Sequence, residues 1–167
     1  LRAIAATLAL APGSVRLTLA GPDWRGGRSR LERLARELGI EGALEFTGPV
    51  QAPEVARLLD EAHCSVIVSR HEGFSLSATE ALLRGAPLIL SRETGVASYP
   101  EIAELSHVLL VEPELDSVQR ALSEVARDRE RLRAEAERAR PRVAELFSWA
   151  RIAARHLEAY AALGSGR

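Results

Sequence analysis

The sequence contains no lysine, no asparagine and no methionine, and all 22 of its basic residues are arginine. Without lysine, these residues provide neither a phosphate-loop lysine nor a Schiff-base amine, and without asparagine they provide no N-glycosylation site. The chain does not begin with methionine, and we expect it to be a segment of a longer protein.

Cysteine is almost absent as well. Cys64 is the only cysteine of the sequence, so the chain forms no internal disulfide. A reducing compartment is the natural setting for such a composition. We therefore expect a cytoplasmic protein.

The sequence also lacks an excess of one charge and any long apolar run. Its net charge is −1 with 27% charged residues, which argues against a nucleic-acid partner or a polybasic membrane patch. No apolar run approaches the roughly 18 residues of a membrane span. The first residues lack the basic start and the cleavage site of a signal peptide. We expect no transmembrane segment.

What the sequence does contain is enough for one folded domain. A chain of 167 residues with 47% hydrophobic residues has the size and the apolar content for a single core. We predict one domain over residues 1–163 and a flexible tail over residues 164–167, where Gly-Ser-Gly-Arg ends the sequence.

Strand and helix patterns alternate along the chain, which predicts an α/β fold with a parallel sheet covered by helices on both faces. The predicted strands are Val15–Ala20, Leu44–Thr47, Val66–Val68, Pro87–Ser91 and His107–Val111. The predicted helices are Arg2–Ala11 (closed by Pro12 and Gly13), Ser29–Leu38, Pro53–Ala62, Ala78–Arg84, Tyr99–Glu104, Glu114–Arg127, a largely solvated Asp128–Arg140 ended by Pro141, and a last helix capped by Ser148 that ends at Gly164.

The segment from Val66 to Ser91 forms one β-α-β unit with two acids, Glu72 and Glu80, where the loop meets the helix. In such units ligands lie beyond the carboxyl ends of the strands, where helix N-termini present free N–H groups. The spacing leaves alternatives open for both acids. Glu80 also fits a capping box with Ser77, and Glu72 also fits a solvated loop residue.

The sequence of the loop allows two interpretations: the loop binds a diphosphate, or it binds no ligand. Gly73 lets the backbone approach a ligand closely, and Ser75 and Ser77 add hydroxyl groups beside a helix N-terminus. A tight turn between a strand and a helix would use the same residues without any ligand.

Four motifs resemble those of the retaining group 1 (family 4) glycosyltransferases. The stretch from Ser69 to Ala81, followed by Gly85-Ala86-Pro87, resembles the E-x7-E signature S-R-x-E-G-F-G-L-x-x-x-E-A and its G-x-P. Leu17–Pro22 resembles the family's strand that ends in G-x-G-P, Phe46–Val50 resembles its F-x-G-x-V, and Phe147-Ser148-Trp149 resembles the F-S-W that opens its terminal helix.

The resemblance implies the C-terminal, donor-binding domain of a GT-B enzyme, with a Rossmann-like parallel sheet. It implies transfer of a sugar, of hexosyl type, from a nucleotide-diphosphate-sugar to an acceptor. The domain's first strand and the N-terminal acceptor-binding domain are expected to be missing, so the chain alone is expected to be inactive. Peripheral membrane contact is expected only through that missing half. Two rival interpretations are a degenerate Rossmann-like module with an assembly role and part of a nucleotide-sugar epimerase.

Carried over by position, the resemblance assigns roles to individual residues. Glu72 would be the catalytic-site acid that contacts the hydroxyl groups of the donor sugar, and Glu80 would accept hydrogen bonds from the ribose. The remaining members would bind the nucleotide sugar: Gly73 and Phe74 through backbone groups, Ser75, Leu76 and Ser77 in the same loop, and Gly48 and Val50 beside the base. The family is generally metal-independent, so we expect no metal and no other cofactor.

Several other residues receive mostly structural interpretations. Ser75 stands where the family usually has a second glycine, which is tolerable if the residue needs no positive φ. His71 is interpreted as a solvated loop residue, and Arg70 either pairs with Glu72 or meets the diphosphate. Trp24 and Trp149 are interpreted as packing residues.

Overall fold

The computed structural model describes residues 1–10, 13 and 15–164. The predicted end of the first helix, at Ala11 and Pro12, and residues 165–167 of the predicted tail 164–167 lie outside the described residues, whereas Gly164 is the last residue of the final helix. The order of elements is the predicted one. Helices are α1 Arg2–Leu10, α2 Gly27–Glu37, α3 Ala52–Glu61, α4 Leu76–Leu83, α5 Pro100–Ala103, α6 Leu115–Leu146 and α7 Trp149–Gly164; strands are β1 Leu17–Ala20, β2 Leu44–Gly48, β3 Ser65–Ile67, β4 Leu88–Ser91 and β5 Val108–Val111; short 3-10 helices occupy Glu41–Ala43 and Gly95–Ser98.

All strand pairs are parallel, as the alternation of strands and helices predicts. Strands β1 and β2 form one sheet, and β3, β4 and β5 form a second sheet in that order. Leu17 pairs with Leu44 in the first sheet, and Ile67 pairs with Leu90 in the second. Within the described part of the chain, β1 and β3 each pair along one edge only.

The central strands are buried on both faces, so the prediction of helices on both sides of the sheet is confirmed. Leu88 and Leu90 of β4 belong to one hydrophobic cluster with residues of α4, α5 and the end of α6, whereas Ile89 belongs to another with residues of α1, α2 and the first part of α6. Successive side chains of a strand point to opposite faces. In β5 the same alternation separates Val108 and Leu110 from Leu109 and Val111.

The long helix α6 corrects one sequence prediction. Helical geometry breaks at Asp128 (φ −120°, ψ 24°), close to the predicted boundary, but it continues through Pro141. Proline removes one backbone hydrogen bond from a helix interior. Val143 and Leu146 on one side of Pro141 and Ala136 on the other are buried, so packing holds the helix together across the proline.

The Arg/Glu-rich part of α6 is only partly solvated. Leu132 and Ala136 are fully buried, while the outer face carries ion pairs at helical spacing, such as Arg131 with Glu135 at 3.1 Å. Exposed pairs of this kind contribute little to stability. The second half of α6 is therefore held by its apolar face and not by its charges.

Among the helices of the described residues, none has both the length and the apolar composition of a membrane span.

Candidate functional site

The loop between β3 and α4, residues 68–75 (hereafter the site loop), follows the carboxyl end of β3 and leads into the N-terminus of α4. The helix begins at Leu76 and its N-cap is Ser75, whose Oγ accepts a hydrogen bond from the N–H of Ala78 at 3.3 Å. The carbonyl of Ser75 accepts hydrogen bonds from the N–H and the hydroxyl of Thr79, at 3.2 and 3.1 Å. Because Ser75 is the cap, the capping box interpretation of Ser77 and Glu80 is wrong.

Ser75 has a backbone conformation that non-glycine residues rarely adopt. Its φ is +80° and its ψ is 91°, and its side chain is buried. The condition under which serine would be tolerable at this position, a negative φ, is therefore not met. Such backbone strain costs of order 1–3 kcal/mol and tends to occur at functional sites.

Two substitutions at Ser75 separate its strain from its cap. Ser75→Gly is expected to raise the free energy of unfolding by up to about 1 kcal/mol, because glycine tolerates positive φ and replaces a capping serine at a cost of only a few tenths. Ser75→Ala is expected to lower it by about 1 kcal/mol, because alanine keeps the strain and loses the cap. Urea unfolding of the two variants measures both values. Equal destabilisation by both would contradict this account.

Glu80 lies on the exposed face of α4 together with Leu76 and Ser77, while Ala78 and Ala81 point into the core. Among the described residues, no hydrogen bond or ion pair involves the carboxylate of Glu80. Leu76 is 75% exposed although it is apolar. This face of the helix therefore has no structural task within the described chain.

Glu72 is exposed and its carboxylate has one weak partner. Its Oε2 accepts a hydrogen bond from the hydroxyl of Ser69 at 3.3 Å. Arg70 and His71 are also exposed, and Arg70 forms no ion pair with Glu72 or with any other described acid. The salt-bridge alternative for Arg70 is therefore not realised, whereas the solvated position expected for His71 is.

The segment that follows β4 holds the backbone of the site loop. The N–H of Gly95 donates to the carbonyl of Glu72 at 2.9 Å, and the N–H of Val96 donates to the carbonyl of Phe74 at 3.1 Å. The N–H of Glu72 makes a longer bond, 3.4 Å, to the carbonyl of Glu93. These bonds hold the backbone of residues 72–74 against the segment after β4, and the side chain of Glu72 remains exposed.

Gly95 is required by this contact. A Cβ atom at Gly95 would lie 1.9 Å from the carbonyl oxygen of Gly73 and 2.8 Å from its carbonyl carbon. Real Cβ atoms do not approach other atoms so closely, and both groups belong to the backbone. Gly73 differs, because a Cβ there would meet nothing within 4 Å and its φ is not positive. Nothing in the described residues requires glycine at position 73, and the close approach of a ligand there stays a prediction.

Several N–H groups at this place have no acceptor. Within the described residues, the N–H groups of Gly73 and Phe74 make no hydrogen bond, and those of Leu76 and Ser77 belong to the unpaired first turn of α4. Unpaired N–H groups at a helix N-terminus bind anions. This N-terminus is flanked by Glu72 and Glu80, whose negative charges point outward, so the local chemistry suits a group that combines phosphate with hydroxyls.

The side chain of Phe74 points away from this surface. Its ring packs edge-on against those of Tyr99 and Phe147, at centroid distances of 6.1 and 5.8 Å. Two residues of the F-S-W motif have structural tasks: Phe147 packs against Phe74, and Ser148 caps α7 by accepting a hydrogen bond from the N–H of Arg151 at 3.2 Å. Trp149 is 85% exposed. The packing interpretation of Trp149 is wrong because α7 leaves that face uncovered.

Gly48 is the last residue of β2 and Val50 follows the strand, at the corresponding edge of the first sheet. Gly48 has φ +69°, and its carbonyl accepts the N–H of Gly21 at 3.0 Å beside an irregularity in the pairing of β1 with β2. This turn explains the glycine without a ligand. Trp24, in the loop after β1, is 75% exposed, so its packing interpretation is also wrong.

Two recesses lie outside the predicted site. One, of about 260 Å³, is lined by residues of α2, β2 and the 3-10 helix between them, including Arg28 and Phe46. The other, of about 390 Å³, is lined by Ser106, His107 and residues of α6. Burial lowers the pKa of His107. Across the described ranges, no group of three or more His, Cys, Asp or Glu residues is arranged to hold a metal ion.

A family model described as "Family 4 Glycosyltransferase in conflict systems" matches residues 1–156. The chain belongs to this glycosyltransferase family.

Relatives and solved structures agree with this assignment. The chain is 33% identical over 132 residues to the MMP alpha-(1->4)-mannosyltransferase of Mycolicibacterium hassiacum, covering 77% of this chain and 31% of that protein. Sucrose-phosphate synthase from Thermosynechococcus elongatus superposes with a TM-score of 0.79 at 28% identity, covering 99% of this chain and 42% of that one. Anabaena HepE, solved with UDP and glucose, superposes with a TM-score of 0.78 at 19% identity, covering 96% and 44%.

These comparisons confirm the predicted family and the GT-B-type Rossmann-like fold. The chain spans less than half the length of these proteins. The sequence alone did not reveal two features of the site loop that depend on tertiary contact, the fit of Gly95 against Gly73 and the ring contacts of Phe74. The prediction also missed the cap at Ser75, although serine three residues before Ala78 was a usable signal.

Proposed function

We propose that this chain is the donor-binding domain of a retaining glycosyltransferase that transfers a hexosyl group from a nucleotide-diphosphate-sugar to an acceptor. In this proposal the acceptor is bound by a second, N-terminal domain, and the domain alone binds nucleotide but transfers nothing. The family assignment and the short share of each relative that the chain covers support this division.

One observation carries the proposal. The exposed carboxylates of Glu72 and Glu80 have no strong partner in the described chain, and they flank a group of unpaired N–H groups at the start of α4. Exposed acids and N–H groups without structural tasks, placed at the carboxyl edge of a parallel sheet, suit a ligand with hydroxyl and phosphate groups.

Each group then has a chemical role. The N–H groups of Gly73, Phe74 and Leu76 would bind the diphosphate, whose negative charge grows as the glycosidic bond breaks. The carboxylate of Glu80 would accept two hydrogen bonds from the ribose diol, because an ionised carboxylate accepts at both oxygens. Glu72 would contact hydroxyl groups of the donor sugar near the reacting carbon.

Four further residues complete the proposed site. Gly48 and Val50 would offer backbone groups to the edge of the base. Ser77, beside Leu76 on the exposed face of α4, would donate its hydroxyl to the diphosphate. Ser75 caps α4, because its hydroxyl accepts the N–H of Ala78, and the O–H of the same group would donate to the nucleotide sugar.

We further propose that the reaction needs no metal, as is general in the family, and that the protein works in the cytoplasm. The cytoplasmic proposal rests on the lone cysteine. Burial raises the pKa of the Cys64 thiol to about 11, so this thiol is poorly reactive at neutral pH.

The domain's first strand also remains a proposal. It would lie between the sheet edges of β1 and β3 that pair with no described strand. Leu17 of β1 and Val66 of β3 pack against the same hydrophobic cluster, which supports a single sheet divided by one absent strand.

Titration of the protein with UDP, GDP and ADP, followed by amide NMR, tests the proposed function. We expect one of the three to shift the signals of residues 73–80 with a dissociation constant in the micromolar to millimolar range. No shift in this region with any of the nucleotides at millimolar concentration would overturn the proposal.

The exposed apolar residues of α7 favour one alternative, an assembly module whose site edge stays empty. Trp149, Leu157, Tyr160 and Leu163 are 66 to 85% exposed. This alternative predicts self-association or partner binding through α7, and no nucleotide binding. The NMR titration separates the two functions, because only the donor-binding domain responds at residues 73–80.

A further inference from the structure

Three aromatic rings form a closed triangle beneath the site loop. Phe74 and Tyr99 lie 6.1 Å apart, Phe74 and Phe147 lie 5.8 Å apart, and Tyr99 and Phe147 lie 5.8 Å apart. All three pairs are edge-on, with interplanar angles from 62 to 83°. Each ring therefore contacts both others, which is a favourable geometry for aromatic side chains.

The three rings come from separate parts of the chain. Phe74 belongs to the site loop, Tyr99 precedes α5, and Phe147 follows α6. All three pack against the hydrophobic cluster on that face of the sheet. The triangle thus joins the loop to the junction of α6 and α7, far from the loop in sequence.

Phe74 is the side chain through which the loop is anchored. Residues 70–73 are exposed, whereas Phe74 is half-buried. The backbone bonds from Gly95 and Val96 hold the carbonyls of Glu72 and Phe74, and the hydroxyl of the buried Ser91 donates to the carbonyl of Ser69 at 2.6 Å. These bonds fix the backbone of the loop, whereas the ring of Phe74 fixes it through a side chain. If the ring of Phe74 lost its two neighbours, residues 72–74 would be held mainly by the backbone bonds from Gly95 and Val96.

The terminal helix α7 reaches the same triangle. Arg151 forms an ion pair with Glu101 at 3.3 Å, and the guanidinium carbon of Arg155 lies 6.0 Å from the centre of the Tyr99 ring. The position of α7 is therefore linked to Tyr99 from the outside, and through the ring contacts to the site loop.

We propose that Tyr99 and Phe147 are positioning residues for the donor site. Through the ring of Phe74 they hold Glu72 and the unpaired N–H groups of Gly73 and Phe74 in the arrangement that a nucleotide-diphosphate-sugar needs. Neither ring contacts the ligand in this proposal. The inference rests on the proposed function for its donor role, and on geometry alone for the position of the loop.

The test uses Phe147→Leu and Tyr99→Leu, which remove a ring, and Tyr99→Phe, which keeps it. Val125→Ala is the matched control, because Val125 is buried in the other hydrophobic cluster and its loss destabilises the fold without touching the triangle. Hydrogen exchange at the N–H groups of Gly95 and Val96 reports the loop in the free protein, since both donate to it. Nucleotide titration reports the site, and urea unfolding reports global stability.

Both ring-removing variants are expected to speed hydrogen exchange at the N–H groups of Gly95 and Val96, because they open the loop locally. When the exchange rates are compared at equal global stability, the increase should be roughly 10-fold larger than in Val125→Ala. They are expected to weaken binding of the responding nucleotide by about 5- to 10-fold, with Tyr99→Phe close to the wild type.

An exchange rate that rises, and an affinity that falls, only in proportion to the loss of global stability, as in Val125→Ala, would overturn the positioning role. Failure of the wild-type protein to bind any nucleotide would overturn the proposed function and the donor role with it. Because the exchange measurement needs no ligand, the two failures are distinguishable.

Discussion

Gly95→Ala is expected to lower the free energy of unfolding by about 2 kcal/mol or more and to abolish measurable nucleotide binding. The added methyl group would overlap backbone atoms, which cannot move aside without shifting the chain. The new Cβ would lie 1.9 Å from the carbonyl oxygen of Gly73. The site loop and the segment after β4 must then separate, and the bond from the N–H of Gly95 to the carbonyl of Glu72 is lost with that movement. The effect on the site is direct, since the displaced residues include the N–H groups proposed to bind diphosphate.

Gly42→Ala is the control for glycine replacement as such. A Cβ at Gly42 would meet nothing within 4 Å and its φ is not positive, so this variant should retain wild-type stability to within about 0.5 kcal/mol. Thermal or urea unfolding and the amide signals of residues 72–76 are the measurements. A Gly95→Ala protein with unchanged stability and unchanged loop signals would contradict the close contact.

Glu80→Gln is expected to weaken binding of the responding nucleotide by about 10- to 100-fold, the range for losing hydrogen bonds to a charged group. The amide has one acceptor oxygen and donates where the ribose hydroxyls also donate. Stability should change by less than about 0.5 kcal/mol, because Ser75 and not Glu80 caps α4 and no described residue pairs with the carboxylate of Glu80.

Glu72→Gln is the matched control for this experiment. It removes the same charge from the same exposed rim, but its proposed contact is with the donor sugar and not with the nucleotide. It should therefore leave the affinity for the free nucleotide within about 3-fold and weaken the nucleotide sugar more strongly. Calorimetry with both ligands gives the comparison. Equal losses for Glu72→Gln and Glu80→Gln with free nucleotide would indicate a general charge effect and contradict the ribose role.

Much of the fold could be predicted because its signals are local. The apolar runs that became β4 and β5, the glycine after α4 and the spacing of apolar residues in α6 all depend on a few neighbouring residues. The predicted helix end at Pro141 was wrong because tertiary packing, and not a local signal, decides the structure there. The local preference of proline is to end a helix, but the buried residues on either side, Ala136 and Val143, outweigh that preference through tertiary packing.

The sequence could predict where the candidate site residues lie in the fold, but not their local conformations and contacts. The E-x7-E pattern placed Glu72 and Glu80 on the correct loop and helix. It could not show that Ser75 adopts a positive φ and caps α4, because that conformation is imposed by the loop as a whole. The contact between Gly95 and Gly73 joins residues distant in sequence, so no local pattern contains it.

The most direct test of the central claim is to locate a bound nucleotide on the protein. In a complex saturated with the responding nucleotide, intermolecular NOEs from the ribose protons should reach the methyl groups of Leu76 and the side-chain protons of Glu80. NOEs from the ribose to protons of the recess lined by Arg28 and Phe46, with none to Leu76 or Glu80, would contradict the proposed site.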